Sequence, residues 1–182
     1  MYRLLFGTIS DHENAKAAGR ALLAAALAPS SPPEIAYGRH GKPGFAAGVP
    51  LWFNISHSGD HIVLLLSDEG EVGCDIEVVR PRKNAQRIAE AVFSPGENAL
   101  LADAEDKLIA FWQIWTAKEA MLKQTGGQIG QIAQFDSCTP APLHLAQFAF
   151  SQGRIVALCT PTKLSLQFNN NDVNITQQII SC

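Results

Sequence analysis

The sequence predicts an α+β fold in which the order strand, helices, strands occurs twice, the two halves meeting near Gly70. Three observations carry this. A strand-like N-terminus runs into an alanine-rich helical stretch, the longest helical pattern lies in the second half from about Asp106 to Gln124, and beyond Gly130 the pattern turns strand-like again. No residue-by-residue repeat accompanies the order, so it suggests pseudo-symmetry of architecture alone. At 182 residues the chain fits one domain, or one compact body of two small lobes, with enough length to bury a core.

Taken in order, Tyr2 to Ile9 reads as a strand, and Ser10-Asp11-His12-Glu13 has the S-x-x-E spacing of a capping box that opens a helix to about Ala28. Pro29 to Pro33 ends it. Residues 34–50, rich in glycine and proline, read as a loop carrying Arg39 and Lys42. A polar segment with turn-forming residues, Phe53 to Gly59, precedes a short apolar strand, His61 to Ser67. Asp68-Glu69-Gly70 then turns the chain into a second strand, Val72 to Val79, and the basic stretch Arg80-Pro81-Arg82-Lys83 follows. Ala85 to Ala91 is helical, and Ser94-Pro95-Gly96-Glu97 is a second capping box with proline at its favoured first helical position. The long helix stops at Gly126-Gly127. Leu143 to Phe150 and Arg154 to Cys159 read as strands, with a final hairpin around Asn169-Asn170-Asn171-Asp172.

A composition of 47% hydrophobic and 17% charged residues with a net charge near −3 describes a soluble globular protein and excludes a generally basic nucleic-acid binder. Any acidic partner then has to meet a local basic patch. Cys74, Cys138, Cys159 and Cys182 lie far apart with no C-x-x-C pair, so neither a zinc site nor a dense disulfide framework is indicated, and reduced thiols are expected. The apolar run Ala21 to Ala28 is too short to span a bilayer, and it follows Asp11 and Glu13 where a signal peptide would carry positive charge. A cytoplasmic protein without membrane contact is expected.

Alternation along Val72-Gly73-Cys74-Asp75-Ile76-Glu77-Val78 puts Val72, Cys74, Ile76 and Val78 on one face and Asp75 and Glu77 on the other. Their α-carbons are roughly 6.5–7 Å apart, close enough for both carboxylates to reach one hard cation; the competing reading is a solvated strand face. On the long helix, at about 100° per residue from Leu108, Phe111, Trp112, Trp115 and Leu122 share a face with Glu119 in its middle. A carboxylate in that setting needs a metal, a base or a cleft, and Lys123 one turn later offers an i,i+4 ion pair. Ser56-His57-Ser58 admits three readings: a catalytic serine and histidine, a polar turn, or donors to a pyrophosphate. Lys42, in Gly41-Lys42-Pro43, is either a point charge on a loop that approaches a phosphate closely or an exposed loop lysine.

As a set, Gly41-Lys42-Pro43, Phe53-Asn54-Ile55-Ser56-His57-Ser58, Gly73-Cys74-Asp75-Ile76-Glu77, Phe93-Ser94-x-x-Glu97 and Trp115-Thr116-Ala117-Lys118-Glu119-Ala120-x-x-Lys123 resemble, in order, the motifs of the surfactin-synthetase-activating type of 4'-phosphopantetheinyl transferase. The resemblance covers residues 41–123. It implies two similar α+β lobes in one chain, the pseudo-dimeric phosphopantetheinyl transferase fold, with the active site in the cleft between them. Residues 1–69 would form an N-terminal lobe that contacts the phosphates of coenzyme A, and residues 70–182 a C-terminal lobe that binds Mg²⁺. Residue by residue, the resemblance implies Asp75, Glu77 and Glu119 as Mg²⁺ ligands, and Lys42, Ser56 and His57 as phosphate contacts of coenzyme A. Arg20, on the first helix, would meet the 3'-phosphate. Cys74 stands where an aliphatic residue is commoner.

The implied activity is that of a holo-acyl-carrier-protein synthase. The serine of an apo acyl or peptidyl carrier protein attacks the phosphorus nearer the pantetheine arm and 3',5'-ADP leaves, with Glu119 as general base and Lys123 neutralising or protonating the leaving phosphate. Such a carrier is expected to present an acidic helix, and Arg80, Arg82, Lys83 and Arg87 form either the basic cluster that meets it or a solvated charge run. Short trimeric carrier-protein synthases build their sites between subunits and carry the G-x-D motif near the N-terminus. Here the Lys42 and Ser56-His57 motifs precede that motif in one chain, which implies a monomer containing its whole site. Two other classes stand beside this: a noncatalytic module binding coenzyme A or carrier protein, and a metal-dependent phosphoesterase. Intact Asp75, Glu77, Glu119 and Lys123 argue against the module.

Overall fold

The computed structural model describes residues 1–150, 152–164 and the backbone of 175–177. The first half contains β1 (Tyr2–Thr8), α1 (Ala15–Leu27), the short strands β2 (Ile35–Tyr37) and β3 (Pro43–Phe45), β4 (Trp52–Ser58) and β5 (His61–Ser67). The second contains β6 (Gly73–Val78), α2 (Ala85–Val92), α3 (Pro95–Asp103), α4 (Lys107–Thr125), a 3₁₀ turn (Ile129–Gln134), β7 (His144–Phe150), β8 (Arg154–Thr160) and β9 (Ile175–Gln177). The mixed α and β content agrees with the predicted class. The hairpin expected around Asn169–Asp172 lies outside the described residues.

Two antiparallel sheets carry the architecture, ordered β1-β5-β4 and β6-β8-β7-β9, with β2 and β3 paired separately. β5 is buried on both faces, which is why His61–Ser67 reads as a continuous apolar run. Leu64 and Leu66 meet Leu23 and Ala26 of α1, while Val63 and Leu65 pack with Cys74, Ile76, Val156 and Leu158 of the other sheet. On the far side of that second sheet, Ala120 and Met121 of α4 pack on Ala157 and Cys159. The N-terminal turns of α4 carry Phe111, Trp112 and Trp115 into a cluster with Phe93 and Leu101.

The helix termini follow local chemistry. Asp106 accepts from the N–H groups of Leu108 and Ile109 to start α4, and Gly126, in the left-handed region at φ 68°, ends it. Both reciprocal bonds of the Ser94–Glu97 capping box are formed. The box expected at Ser10 is not: Asn14 caps α1 by accepting from Ala17 N, and Ser10 instead donates to Asp60 through its backbone N–H (2.6 Å) and Oγ (2.8 Å). A tertiary partner outcompetes the local one.

Four further expectations change. The 34–50 loop contains β2 and β3, and the strand-like reading beyond Gly130 begins with a 3₁₀ turn. Phe53–Ser58 is strand β4 and not a turn, because buried Asn54, Ser56 and Ser58 alternate with Phe53, Ile55 and His57. Cys138 is disulfide-bonded, whereas Cys74 and Cys159 are buried free thiols. The lack of C-x-x-C spacing excludes only local pairs. Among the described residues no helix is long and apolar enough to cross a membrane.

Candidate active site

β6 starts at glycine because nothing larger fits. A Cβ on Gly73 would lie 2.0 Å from Ala120 O and 2.4 Å from Gln124 N, inside the backbone of α4. This close approach sets the carboxylates of β6 beside the last two turns of the helix. Asp75 is 2% exposed, and its Oδ1 accepts from Ser56 Oγ (2.6 Å) and from Lys123 Nζ. Lys123 Nζ also reaches Ser56 Oγ at 2.9 Å and Glu119 Oε2 at 3.4 Å. Glu77 accepts from Ser58 Oγ at 2.6 Å. Asp75, Glu119 and Lys123 therefore meet, and Glu77 stands next along the strand. The expected i,i+4 pair of Glu119 and Lys123 is present, but Lys123 serves Asp75 as well.

Burial lifts the Asp75 carboxyl from 3.8 to about 7, opposed by the charge of Lys123 and reinforced by that of Glu119. Burial works against the Lys123 ammonium, but Asp75 and Glu119 outweigh it and raise its affinity for the proton. Among the described residues no three His, Cys, Asp or Glu side chains converge as they stand to hold a metal ion. The donor chemistry does fit a hard cation. Among the described residues Asp75 Oδ2 is buried with no hydrogen-bond partner, and a bare carboxylate oxygen beside two more carboxylates is what an oxygen-seeking cation satisfies.

Strand alternation separates the Ser56-His57 motif. Ser56 faces Asp75, whereas exposed His57 turns to the opposite face and lines a cavity of about 400 Å³ with Arg20 and Lys16 of α1. Phe53 and Leu23 give that cavity an apolar wall. Arg20 and His57 are thus brought together in one cavity. Lys16 joins them, and its i,i+4 spacing from Arg20 on a helix is visible in the sequence. Lys42 joins neither group. Its ammonium donates to Glu71 Oε2 (2.6 Å), Val72 O (3.0 Å) and Gln124 O (3.0 Å), so all three donors are used within the protein.

Two further motif residues have roles that the sequence did not expose. Glu97 and Lys118 are fully buried and paired at 2.8 Å. Glu97 also accepts from Ser94 N (2.7 Å), Ser137 N (2.7 Å) and Ser137 Oγ (2.8 Å), and Lys118 donates to Phe135 O. The capping box accounts for only one of these bonds. Within the basic cluster, Arg80, Lys83 and Arg87 are exposed, but Arg82 lies over the rings of Trp115 and Trp112, 4.7 and 5.3 Å from their centroids. Arg82 is an aromatic-stacked residue and not a free surface charge.

The chain belongs to the 4'-phosphopantetheinyl transferase superfamily, whose family model matches residues 71–178. It is 56% identical over 151 residues to the 4'-phosphopantetheinyl transferase AcpT of Salmonella typhimurium, covering 82% of this chain and 77% of that protein. The AcpT of Escherichia coli K12 is 53% identical over 151 residues, 82% and 76% of the two chains. With the 4'-phosphopantetheinyl transferase of Bacillus subtilis the identity is 36% over 99 residues, 52% of this chain and 43% of the other. The AcpT proteins match the chain more fully than that protein does.

Proposed function

We propose that this protein moves the 4'-phosphopantetheine arm of coenzyme A onto a serine of an apo acyl or peptidyl carrier protein and releases 3',5'-ADP. The observation that carries the reading is the two-sidedness of β4: Ser56 holds the Asp75 cluster on one face while His57 faces the cationic cavity on the other. A ligand with phosphates at two places suits such a strand. The description shared by the matched relatives supports the reaction class.

In this reading Arg20, His57 and Lys16 hold the 3'-phosphate above an apolar wall that receives the nucleoside. Asp75, Glu77 and Glu119 are the residues that would hold Mg²⁺, which supplies Lewis-acid neutralisation of the pyrophosphate. Glu119, whose side chain is 19% exposed, accepts the proton of the incoming serine. Lys123 holds Asp75 and Glu119 in place and meets the charge of the leaving phosphate. Lys42 acts by pinning the β2–β3 pair to the end of α4, and Ser56 by orienting Asp75, in place of the phosphate contacts that the motif resemblance implies.

Two similar lobes, residues 1–69 and 70–182, are supported by the strand orders: in each half the first strand pairs with the second strand of a later hairpin, giving β1-β5-β4 and β6-β8-β7. The presence of both halves in one chain supports a monomer of the surfactin-synthetase-activating type. Exposed Arg80, Lys83 and Arg87 suit an acidic carrier helix.

Mass spectrometry of apo carrier proteins incubated with coenzyme A and Mg²⁺ tests the activity, and Glu119→Gln tests the site. The variant should lower turnover by at least about 10²-fold, the lower end of a general-base contribution, while coenzyme A still binds. Coenzyme A cleavage without carrier modification would show a phosphoesterase, and a near-normal kcat would remove Glu119 from the chemistry.

A further inference from the structure

β6 pairs with β8 along one edge, so backbone N–H groups on its other edge need partners outside that ladder. β4 supplies them with side chains. Cys74 N donates to Asn54 Oδ1 (2.8 Å), Ile76 N to Ser56 Oγ (3.4 Å) and Val78 N to Ser58 Oγ (3.3 Å). Each serine hydroxyl then gives its own hydrogen to a carboxylate, Ser56 to Asp75 Oδ1 and Ser58 to Glu77 Oε2, both at 2.6 Å. A hydroxyl has one hydrogen, and accepting from the backbone on one side leaves it aimed at the carboxylate on the other.

The second sheet offers an internal comparison. Counted back from the hairpin turn, β7 carries Phe150, Phe148 and Ala146 where β4 carries Ser58, Ser56 and Asn54. Phe150 packs edge-on against Phe6 of β1 with ring centroids 5.3 Å apart. The corresponding positions of the other hairpin are therefore apolar, and the polar triplet occurs in the strand beside Asp75 and Glu77. Buried hydroxyls bring a desolvation penalty that an apolar seam avoids, so packing alone does not account for them.

We infer that Ser56 and Ser58 are positioning residues for the two carboxylates of β6. By occupying one oxygen of each, they fix its rotation and leave the other oxygen for a cation. Asp75 shows the result directly: Oδ1 is taken, and Oδ2 is buried without a partner among the described residues. The inference rests on Asp75 and Glu77 being Mg²⁺ ligands. It also joins the two sides of the strand, because His57 of the nucleotide cavity sits between the two serines.

The test is Mn²⁺ binding to the enzyme without coenzyme A, followed by calorimetry. Ser58→Ala and Ser56→Ala should each weaken Mn²⁺ by about 10–100-fold, the usual loss on removing the hydrogen-bond partner of a metal ligand. Ser58→Thr, which keeps the hydroxyl, should restore it. Asn54→Ala is the control: it removes a seam bond to Cys74 N and touches no carboxylate, so it should lower the melting temperature and leave Mn²⁺ affinity at the wild-type level. Equal weakening by all three alanine variants would mean that the serines only join the strands, and unchanged affinity in Ser58→Ala would equally overturn the inference. If Ser56→Ala fails to fold, Ser58→Ala and Ser58→Thr decide it at the half-exposed end of β6. Wild-type enzyme that binds no Mn²⁺ would overturn the metal assignment itself, an outcome separate from a wild type that binds and serine variants that do not respond.

Discussion

Lys118→Met should destabilise the protein more than any surface change, by an amount that the structure bounds. Lys118 and Glu97 are both 0% exposed, so removing the ammonium strands a carboxylate with no counter-charge. Breaking a buried pair from one side costs about 3–5 kcal/mol. Three donors still reach Glu97, from Ser94 N, Ser137 N and Ser137 Oγ, which places the loss at the low end, about 3 kcal/mol. For a chain of this length that is roughly 6–12 °C in Tm. Adding Glu97→Gln removes the stranded charge while its amide oxygen can still accept from Ser137, so the double variant should be more stable than Lys118→Met alone despite carrying two changes. Urea unfolding of wild type, both single variants and the double variant gives the four free energies. A Lys118→Met protein within about 1 kcal/mol of wild type, or a double variant equal to the sum of the singles, would refute the buried-charge argument.

Gly73→Ala drives a methyl group into the backbone of α4 and should cost about 3 kcal/mol, the upper end of ordinary overpacking; a normal Tm would contradict the close approach. Asp75 titrates near 7 in the fold against 3.8 ordinarily, so between these values the folded state binds more protons than the unfolded one. Stability of metal-free enzyme should therefore fall as pH rises from about 4 to about 7, and Asp75→Asn should flatten that interval, which denaturation at several pH values will show. Reversing Lys83 and Arg87 to Glu should raise KM for an acidic carrier and leave KM for coenzyme A unchanged. Arg82→Ala should instead lower stability by about 0.5–2 kcal/mol through lost stacking, with no selective effect on the carrier; the opposite pattern would return Arg82 to the docking surface.

What the sequence made legible follows from periodicity. β1, β5, β6, α4, β7 and β8 each carry a clear period or an unmistakable cap, and Asp75, Glu77, Glu119 and Lys123 were placed by spacing within such elements. β4 was missed because polar residues made its alternation look like turn chemistry; the partners of Asn54, Ser56 and Ser58 lie about twenty residues away, on β6. The apolar face drawn on α4 was too narrow for the same reason. Ala117, Lys118 and Met121 are buried as well, since the helix lies between a sheet and other helices, and only the tertiary pairing with Glu97 explains a lysine there. Lys42 shows the limit of a motif: the residue type suits a phosphate, but the backbone acceptors Val72 O and Gln124 O are invisible in one dimension.

Those acceptors explain how charge is distributed across the site. The C-terminal end of a helix presents unpaired carbonyls and a partial negative charge, which favours cations and repels phosphate. Around the end of α4 the protein sets Lys42 on Gln124 O and Lys123 within the last turn, together with Asp75 and Glu119, so the local field there favours positive charge. At the other side of β4, the cavity is lined by Ala15 and Lys16 from the start of α1 with Arg20 and His57 nearby, an arrangement whose dipole and side chains favour an anion. In the proposed reaction a substrate with separated phosphates would therefore meet two unlike environments. One phosphate would be held directly by the side chains of that cavity, whereas a phosphate near α4 would require cations to offset the carboxylates, since Lys123 is already paired with two of them. This imbalance is the physical reason to expect a divalent cation in the reaction, independent of any motif.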